Sequence, residues 1–267
     1  MAPQQLNAER RFGGLNRLYG EGSLDRLQAA HIMIAGIGGV GSWCVEALAR
    51  SGVGQLTLID LDHVSESNIN RQLPALSSTV GQAKIEAMQA RIVDINPNCT
   101  VNVVDDFIGI DNASQLLAMN PDVLIDCTDQ AEAKIAMILE AKRAKIKSFI
   151  CGAAGGKTNA LALKRGDLSL STHDALLAKI RNKLRKEHGF AKVQPKQNQR
   201  SARIPKMGVE VFWVEQNAVL PSAWQADSLA QAPQGLSCAG YGSSVTVTAP
   251  MGFAAAQAAI DYVLAKS

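Results

Sequence analysis

Cysteine is scarce in this 267-residue chain, and its cysteines lie far apart in the sequence. No CxxC pair occurs among the five, which are Cys44, Cys99, Cys127, Cys151 and Cys238. A disulfide framework or a cysteine-rich zinc site would need such clustering, so we expect neither disulfides nor zinc. Scattered thiols are typical of proteins in the reducing cytoplasm, which is the predicted location.

The sequence also lacks the long hydrophobic runs that mark membrane segments. No succession of basic, apolar and small residues opens the chain, so no secretory signal is predicted. The most apolar stretch, Ser243–Ala265, contains Pro250 and Asp261. We interpret it as a buried strand followed by a helix, without stable insertion into a membrane. Peripheral association with a membrane through 243–265 stays an open alternative.

Negative charge is sparse in one part of the chain. Residues 164–206 carry twelve lysines and arginines against three acids, a net charge of +9, while the rest of the chain has a net charge of −6. Such a segment is either a solvated surface or a binding site for a polyanion. Its candidate contacts include Arg181, Lys183, Arg185, Lys186, Arg200 and Arg203.

Short apolar runs alternate with helical patterns. The apolar runs suit strands that are buried on both faces, and they are His31–Gly36, Gln55–Asp60, Thr100–Val104, Asp122–Cys127 and Lys147–Gly152. The helical patterns are Val40–Arg50, Lys84–Ile95, Ala113–Met119 and Ala131–Ala144. This alternation predicts an α/β fold with a Rossmann-like, doubly wound and mostly parallel sheet, helices on both faces, and a smaller C-terminal extension.

The same patterns divide the chain into three segments. Residues 1–30 are predicted to be helical, and residues 31–163 form a nucleotide-binding domain. Residues 164–267 are predicted to contain a basic helix over Asp174–His188, a loop, and a strand and helix packed on the same sheet.

A glycine-rich turn joins the first predicted strand to the first helix after it. It contains Gly36, Gly38, Gly39 and Gly41, and three of these fit the pattern GxGxxG. The first glycine allows a tight turn, the second lets a phosphate approach the backbone, and the third allows helix and strand to pack closely. Free N–H groups at the start of the helix favour an anion, so the turn predicts nucleotide binding.

The loop after the second predicted strand reads DLDHVSESNINRQ, which is richer in polar side chains than a dinucleotide site requires. Asp60 lies where an acid accepts hydrogen bonds from ribose hydroxyls, and Asp62 follows it. Arginine and asparagine suit the oxygens of a triphosphate better than a nicotinamide. A lysine at the start of the next helix adds a positive charge. We call Asn68, Arg71 and Lys84 the predicted triphosphate clamp.

Two further acids follow the fourth predicted strand. The stretch DCTDQ places Asp126 and Asp129 at the carboxyl edge of the sheet, where ligands bind in such folds. A carboxylate beside a polyphosphate most simply holds Mg²⁺, so a magnesium site is predicted here. For Asp126 alone, a place in a buried hydrogen-bond network stays open.

With GIGGVG, DLDHVSESNINRQ, VGQAK and DCTDQ in this order, the sequence resembles the ubiquitin-activating superfamily, which includes the ThiF-type adenylating enzymes of bacterial molybdopterin and thiamin synthesis. RFGGLNRLYG and SCAGYGSSVTVTAPMGF are similar to one branch, the tRNA threonylcarbamoyladenosine dehydratases. The chain departs from many superfamily members because it lacks their zinc-binding CxxC pairs. It also has no cysteine between Cys151 and Cys238, so a thioester relay through that segment is not expected.

The resemblance implies ATP and Mg²⁺ as cofactors. It implies that the glycines of the turn, Asp60 and Asp62 hold ATP, and that the triphosphate clamp contacts its phosphates. Asp129 would place Mg²⁺, and Arg17 would reach the ATP site of the partner subunit in a homodimer. The implied catalytic residues are therefore Arg17, Arg71, Lys84 and Asp129.

The implied reaction is the ATP-dependent dehydration of threonylcarbamoyladenosine in tRNA. Adenylation turns the threonyl carboxylate into an activated acyl group, and the ureido group of the same substrate closes a ring onto it. The tRNA backbone would be contacted by the basic side chains between residues 181 and 203 named above. Proteins of a cysteine-desulfurase system are further candidate partners.

Two other functions stay open. An adenylating enzyme for the C-terminus of a ubiquitin-like sulfur carrier would share the fold, but predicts an acidic or apolar docking groove instead of a basic segment. An NAD-dependent oxidoreductase would use the glycine-rich turn and Asp60, but has no need of the triphosphate clamp.

Overall fold

The structure is a computed structural model that describes residues 7–192, 204–221 and 238–266. Its strands are β1 (His31–Ala35), β2 (Gln55–Ile59), β3 (Thr100–Val104), β4 (Val123–Asp126), β5 (Lys147–Cys151), β6 (Leu163–Asp167) and β7 (Glu210–Val214). They form one sheet in the order β3-β2-β1-β4-β5-β7-β6. Only β6, at one edge, runs antiparallel to its neighbour. The predicted Rossmann-like, mostly parallel sheet is confirmed.

The helices of the described ranges lie on both faces of this sheet. Three short helices precede β1, and the longer ones follow individual strands. They are α1 (Ala8–Phe12), α2 (Gly14–Tyr19), α3 (Ser23–Ala29), α4 (Gly41–Arg50), α5 (Lys84–Ile95), α6 (Ala113–Leu117), α7 (Ala131–Ala144), α8 (Ala175–Glu187), α9 (Cys238–Tyr241) and α10 (Val245–Ala265).

The central strands are apolar throughout because helices cover both of their faces. In β1, Ile32 and Ile34 belong to the core that includes α4, α5 and α10. The alternate residues, Met33 and Ala35, belong to the opposite core with α6 and α7. β3 departs from this pattern because it is an edge strand, and Val103 on it is 40% exposed.

The C-terminal segment corrects one prediction. Ser243–Ala265 was expected to contain a strand before its helix, but α10 is a single helix from Val245 onward, with Pro250 inside it. Val247, Met251 and Ala255 recur every four residues and are all buried in the core, so helical packing outweighs the strand preference of the Val and Thr residues. No helix in the described ranges is long and apolar enough to cross a membrane.

The basic helix is confirmed as α8, whose start is capped by the Asp174 side chain. Its apolar face, which includes Ile180 and Leu184, packs with α7 and β7 in a third core. β6 and β7 extend the same sheet as the first five strands. The division of the chain after residues 30 and 163 stays a prediction.

The buried Glu46 of α4 joins this helix to α5 by hydrogen-bonded ion pairs with arginine side chains. The Glu46 carboxylate accepts hydrogen bonds from Arg50 (2.7 Å) and from Arg91 on α5 (2.6 and 2.8 Å). Burial alone would raise the pKa of Glu46, but these hydrogen bonds and the arginine charges outweigh it, so the pKa lies below the ordinary 4.5.

We expect Glu46→Gln to lower the free energy of unfolding at pH 7 by about 1–3 kcal/mol, since the arginines are partly exposed and screened. A lowered pKa means that the stabilisation is present above pH 4.5 and is lost as the pH falls through the folded-state value. The free energy of unfolding of the variant, measured in urea, should therefore approach that of the unaltered protein below pH 4.5. Glu86→Gln, which alters an exposed acid on α5, is the control. A difference independent of pH would contradict this account.

Candidate active site

A large cavity lies at the carboxyl ends of the parallel strands. Its volume is about 480 Å³, and we call it the main cavity. The turns after β1, β2, β3, β4 and β5 all contribute to its wall, because parallel strands bring their carboxyl ends to one edge. The sequence-predicted glycines and polar side chains, which are up to about 90 residues apart in the chain, are thereby brought together.

The glycine turn is built by close approach of the backbone. Gly36 has φ +83°, and a Cβ on it would lie 2.8 Å from the Thr128 backbone nitrogen. A Cβ on Gly41 would lie 1.8 Å from the Gly36 carbonyl oxygen. At Gly38 a Cβ would meet nothing closer than 3.8 Å, so this glycine leaves open space at the cavity wall. The first and third glycines serve packing, and the second allows a ligand to approach.

Asp60 fixes the glycine turn from the end of β2. One carboxylate oxygen accepts from the Ile37 backbone N–H at 2.6 Å, and the other accepts from the Asp62 N–H at 2.8 Å. Burial raises the pKa of Asp60, although the Lys84 charge and the two backbone hydrogen bonds oppose the rise. Each oxygen keeps a lone pair, so the carboxylate can also accept from a ribose hydroxyl.

Lys84 is the first residue of α5, as predicted, and is 5% exposed. Its ammonium lies 2.7 Å from an Asp62 oxygen and 3.9 Å from an Asp60 oxygen. The Asp62 side chain is 60% exposed, so this acid can turn away into solvent when a phosphate arrives. A buried ammonium with such a partner is suited to binding an anion in the main cavity.

The other members of the triphosphate clamp sit around a short 3₁₀ helix, Glu66–Asn68. The Asn68 side-chain oxygen accepts from the Ser65 N–H at 3.1 Å, which closes a capping box. Arg71 donates to the Ser67 carbonyl at 2.7 Å and to the Asn70 side chain at 3.0 Å. Both Asn68 and Arg71 line the main cavity. The local hydrogen bonds hold these side chains in place before any ligand binds.

The two acids of DCTDQ have different environments. Asp126 is fully buried, and one of its oxygens accepts from Lys134 at 2.9 Å and from Thr128. Lys134 is also fully buried, so this pair belongs to the core. Asp129 is exposed at the wall of the main cavity. Both acids were expected at the sheet edge as candidates for ligand binding. The structure buries Asp126 in the core and leaves only Asp129 accessible to a ligand.

Asp129 fits a magnesium ion only in combination with ligand oxygens. Within the described ranges, no three His, Cys, Asp or Glu side chains are grouped so that they could hold a metal ion. Mg²⁺ is commonly held by one or two carboxylates together with substrate phosphates and water. One accessible carboxylate in the same cavity wall as the glycine turn is compatible with that requirement.

Other predicted residues lie away from the main cavity. Arg17 is exposed on α2 and does not line this cavity in its own chain. On α8, Arg181 donates to the Ser171 carbonyl at 2.7 Å, Lys183 pairs with Glu132, and Arg185 donates to the Ala191 carbonyl at 3.1 Å, whereas Lys186 is exposed. Arg200 and Arg203, and the side chain of Cys238, lie outside the described residues.

Several residues of the wall were not predicted. Asp106 and Phe107 follow β3, and the rule that ligands bind beyond carboxyl ends of strands could have found them. Ser243 and Thr248 come from the start of α10, and Asn70 donates to the Ser243 carbonyl at 2.7 Å. Both belong to the stretch SCAGYGSSVTVTAPMGF that carries the family resemblance, but the motif alone did not place them at the cavity, which they reach through the packing of α10 on α4.

Known proteins are similar to this chain over almost its whole length. The family model described as the ThiF family matches residues 13–267. The tRNA threonylcarbamoyladenosine dehydratase of Haemophilus influenzae is 44% identical over 97% of this chain and 95% of its own length. The crystal structure of the Escherichia coli tRNA N6-threonylcarbamoyladenosine dehydratase in complex with ATP has a TM-score of 0.82 at 38% identity, and the match covers 97% of this chain and 95% of that one.

A second group of relatives is similar over a shorter range. The molybdopterin-synthase adenylyltransferase of Salmonella typhimurium is 36% identical over 49% of this chain and 51% of its own length. The resemblance to this adenylyltransferase is thus limited to about half of each protein, whereas the dehydratases of Haemophilus influenzae and Escherichia coli match almost end to end. From the match over residues 13–267 and these identities, the chain belongs to the ThiF family.

Proposed function

We propose that this protein is an ATP-dependent enzyme that dehydrates, and thereby cyclises, threonylcarbamoyladenosine in tRNA through adenylation of its carboxylate. The observation that carries the proposal is the end-to-end similarity to relatives with this activity in their names, over 97% of the chain for the Haemophilus influenzae protein. The main cavity supports it, because its glycine turn, Lys84 and Arg71 suit a triphosphate.

In the proposed first step, a carboxylate oxygen attacks the α-phosphorus of ATP and the bond to the bridging oxygen breaks, so that pyrophosphate leaves. The turn at Gly38 and the start of α4 would hold the phosphates, and Asp60 the ribose. Lys84 and Arg71 would offset the charge that develops on pyrophosphate. Asp129 would hold Mg²⁺, which when bound polarises the phosphoryl oxygens.

In the second step, the ureido group of the substrate attacks the activated carbonyl, loses a proton and expels AMP. The reacting groups belong to one molecule, so their effective concentration is high and no enzyme nucleophile is required. Cys127, which lines the main cavity, is poorly suited to that role. A hydrogen bond with Cys151 at 3.8 Å and burial raise the pKa of Cys127 well above its ordinary value.

We further propose that the protein acts as a homodimer in the cytoplasm, with Arg17 contributing to the partner's site. Leu18, next to Arg17, is 70% exposed, and Phe253 on α10 is 45% exposed. Tyr19 and Gln257 join these two helices by a hydrogen bond of 3.3 Å. Exposed apolar side chains on adjoining helices support a subunit contact there. Proteins of a cysteine-desulfurase system remain candidate partners.

Lys179 and Lys186 are the cations of α8 best placed to reach tRNA, because both are exposed, while Arg181 and Lys183 already have partners within the chain. We expect the double variant Lys179→Glu and Lys186→Glu to raise the KM for modified tRNA by about tenfold or more at low salt and to leave ATP binding unchanged. The defect should narrow as salt rises, because screening weakens only the charged contribution.

A matched control reverses two exposed cations elsewhere, Arg10→Glu and Lys145→Glu, which changes the net charge by the same amount. If both double variants raise KM equally, the effect is one of net charge, and α8 does not contact the tRNA.

The decisive measurement for the proposed function is pyrophosphate release from ATP with three substrates. These are tRNA carrying threonylcarbamoyladenosine, the same tRNA without the modification, and a peptide ending in the glycine of a ubiquitin-like carrier. We expect release only with the modified tRNA, together with loss of one water from the nucleoside by mass spectrometry. Release only with the carrier peptide would favour the carrier-activating function, and tight binding of NAD with no binding of Mg-ATP would favour an oxidoreductase.

A further inference from the structure

A second, smaller cavity adjoins the main cavity beyond the end of β5. Its volume is about 80 Å³, and we call it the side cavity. It shares Ala153 and Leu176 with the main cavity, and Lys157, His173 and Tyr241 complete much of its wall. None of the residues assigned above to ATP or to tRNA lines it. The side cavity is therefore a candidate binding site for a part of the substrate next to the proposed adenylation site.

The sheet order indicates that the nucleotide does not fill this end of the site. Asp60 follows β2 and the glycine turn follows β1, whereas Ala153 follows β5 on the far side of β4. Two strand spacings, roughly 10 Å, separate β1 from β5. In the proposed function, the phosphates would extend from the glycine turn toward Asp129, which follows β4 and also lines the main cavity. A carboxylate that attacks the α-phosphorus therefore has free space on the β5 side.

One residue in the wall of the side cavity is a buried lysine. Lys157 is 4% exposed and donates to the carbonyl oxygen of His173 at 2.7 Å and to that of Gln216. An ammonium has three N–H donors, so one remains after these two bonds. In the described part of the chain, no carboxylate forms an ion pair with Lys157. Burial lowers its pKa, an effect that the charge of Asp174 partly opposes.

Asp174, the acid whose charge acts on Lys157, accepts hydrogen bonds from two backbone N–H groups. Asp174 accepts from the Ala153 N–H at 2.8 Å through one oxygen and from the Leu177 N–H at 2.9 Å through the other. It thereby joins the end of β5 to the start of α8, at the wall shared by the two cavities. Asp174 also lines the side cavity, but within the described residues it forms no ion pair with Lys157, so the remaining N–H of Lys157 stays available to a ligand oxygen.

The wall of the side cavity is held in a strained conformation. His173 has φ +56°, which is uncommon for a residue with a side chain, and its Nδ1 lies 2.6 Å from the Asn217 side-chain oxygen. The hydrogen bond from Lys157 to its carbonyl fixes the backbone there. Such strain persists only where surrounding contacts impose it, and it is concentrated at binding sites.

We propose that the side cavity is the acyl subsite, which receives the amino-acid part of an N-carbamoyl amino acid while Lys157 donates its remaining N–H to an oxygen of that group. This inference rests on the proposed function. The volume has room for roughly three water molecules, which is comparable to the side chain of a small amino acid such as threonine. The carboxylate of a group held there lies at the wall that the side cavity shares with the ATP site.

The test fills the side cavity without touching Lys157 or the ATP residues. Ala175 lines the side cavity, is exposed, and does not line the main cavity. We expect Ala175→Leu to raise the KM for tRNA carrying threonylcarbamoyladenosine by about tenfold or more, and to change the Kd for ATP by less than about twofold. Ala144→Leu, an exposed alanine at the far end of α7, is the matched control and should change neither value.

A substrate with a smaller acyl group shows whether the Ala175→Leu variant loses activity because the subsite is filled or because the protein is damaged in general. With tRNA in which glycine replaces threonine in the carbamoyl group, the Ala175→Leu variant has more room, so its kcat/KM should fall much less. The ratio of kcat/KM for the threonyl over the glycyl substrate should drop by about tenfold. Lys157→Met should lower kcat/KM for both substrates by about tenfold while ATP binding is retained.

If Ala175→Leu leaves both KM and the threonyl-to-glycyl ratio unchanged in a folded protein, the side cavity is not the acyl subsite. If the unaltered protein releases pyrophosphate with a carrier peptide and not with modified tRNA, the proposed function fails, and the subsite for an N-carbamoyl amino acid fails with it. The two failures are distinguishable, because failure of the subsite alone is observed with an unaltered protein that is active on modified tRNA.

Discussion

Replacing Asp129 with Asn should reduce pyrophosphate release by about 10³-fold, because the carboxylate proposed to hold Mg²⁺ beside the phosphates is lost. The fold should be unaffected, since Asp129 is exposed at the cavity wall. The residual activity should need a higher Mg²⁺ concentration for its half-maximal value. These quantities are measured by pyrophosphate release across a magnesium titration, with thermal unfolding as the check on folding.

Two variants sharpen this expectation. Asp111→Asn removes an exposed aspartate that does not line the cavity, and it should leave the rate unchanged. Asp126→Asn breaks the fully buried pair with Lys134, and it should lower the free energy of unfolding by about 3–5 kcal/mol. Asp129→Asn with activity within about threefold of the unaltered protein would remove this residue from the mechanism.

Replacing Arg17 with Ala should lower the rate by about 10²–10³-fold although this side chain lies outside the ATP site of its own chain. An ATP site at a sheet edge is open to water, and an arginine from a second subunit can close it and offset the charge on the departing pyrophosphate. Among the described residues, none forms an ion pair or a hydrogen bond with the Arg17 side chain, which is exposed on α2. The loss should appear in kcat with unfolding unchanged.

Mixing two inactive variants tests whether this arginine acts across a dimer. An Arg17→Ala chain paired with an Asp129→Ala chain contains one site with both side chains intact only if Arg17 serves the partner. Equal mixing with free exchange should then restore about a quarter of the normal activity, as half of the dimers are hybrids with one good site each. Hybrid dimers that form without any recovery, or a protein that sediments as a monomer, would rule out action in trans.

Local patterns in the sequence were sufficient for the architecture and for much of the site. The apolar runs predicted the five parallel strands because helices on both faces leave no polar side to those strands. The glycine turn was predictable because its backbone must approach itself at Gly36 and Gly41, where a Cβ has no room. Lys84 was placed correctly at the start of α5 from the helical periodicity that begins there.

Other features could not be predicted because the same residue type serves different ends in different surroundings. Asp126 and Asp129 are three positions apart in one motif, yet only the tertiary structure buries one against Lys134 and exposes the other to the cavity. The basic run of α8 likewise looked uniform in the sequence. The structure holds Arg181 at the Ser171 carbonyl and pairs Lys183 with Glu132 at the surface, whereas Lys179 and Lys186 are exposed.

Short stretches of sequence were enough to predict the α/β sheet and the glycine turn, since each depends on periodicity or on steric limits within a few residues. The fold of the whole chain was needed to show that the C-terminal segment is one helix, and that the Ser243 carbonyl meets Asn70 across 173 positions. It was also needed to show that Lys157 is buried next to the main cavity. Contacts between distant segments depend on how whole helices pack on the sheet, and no short stretch of sequence carries that information.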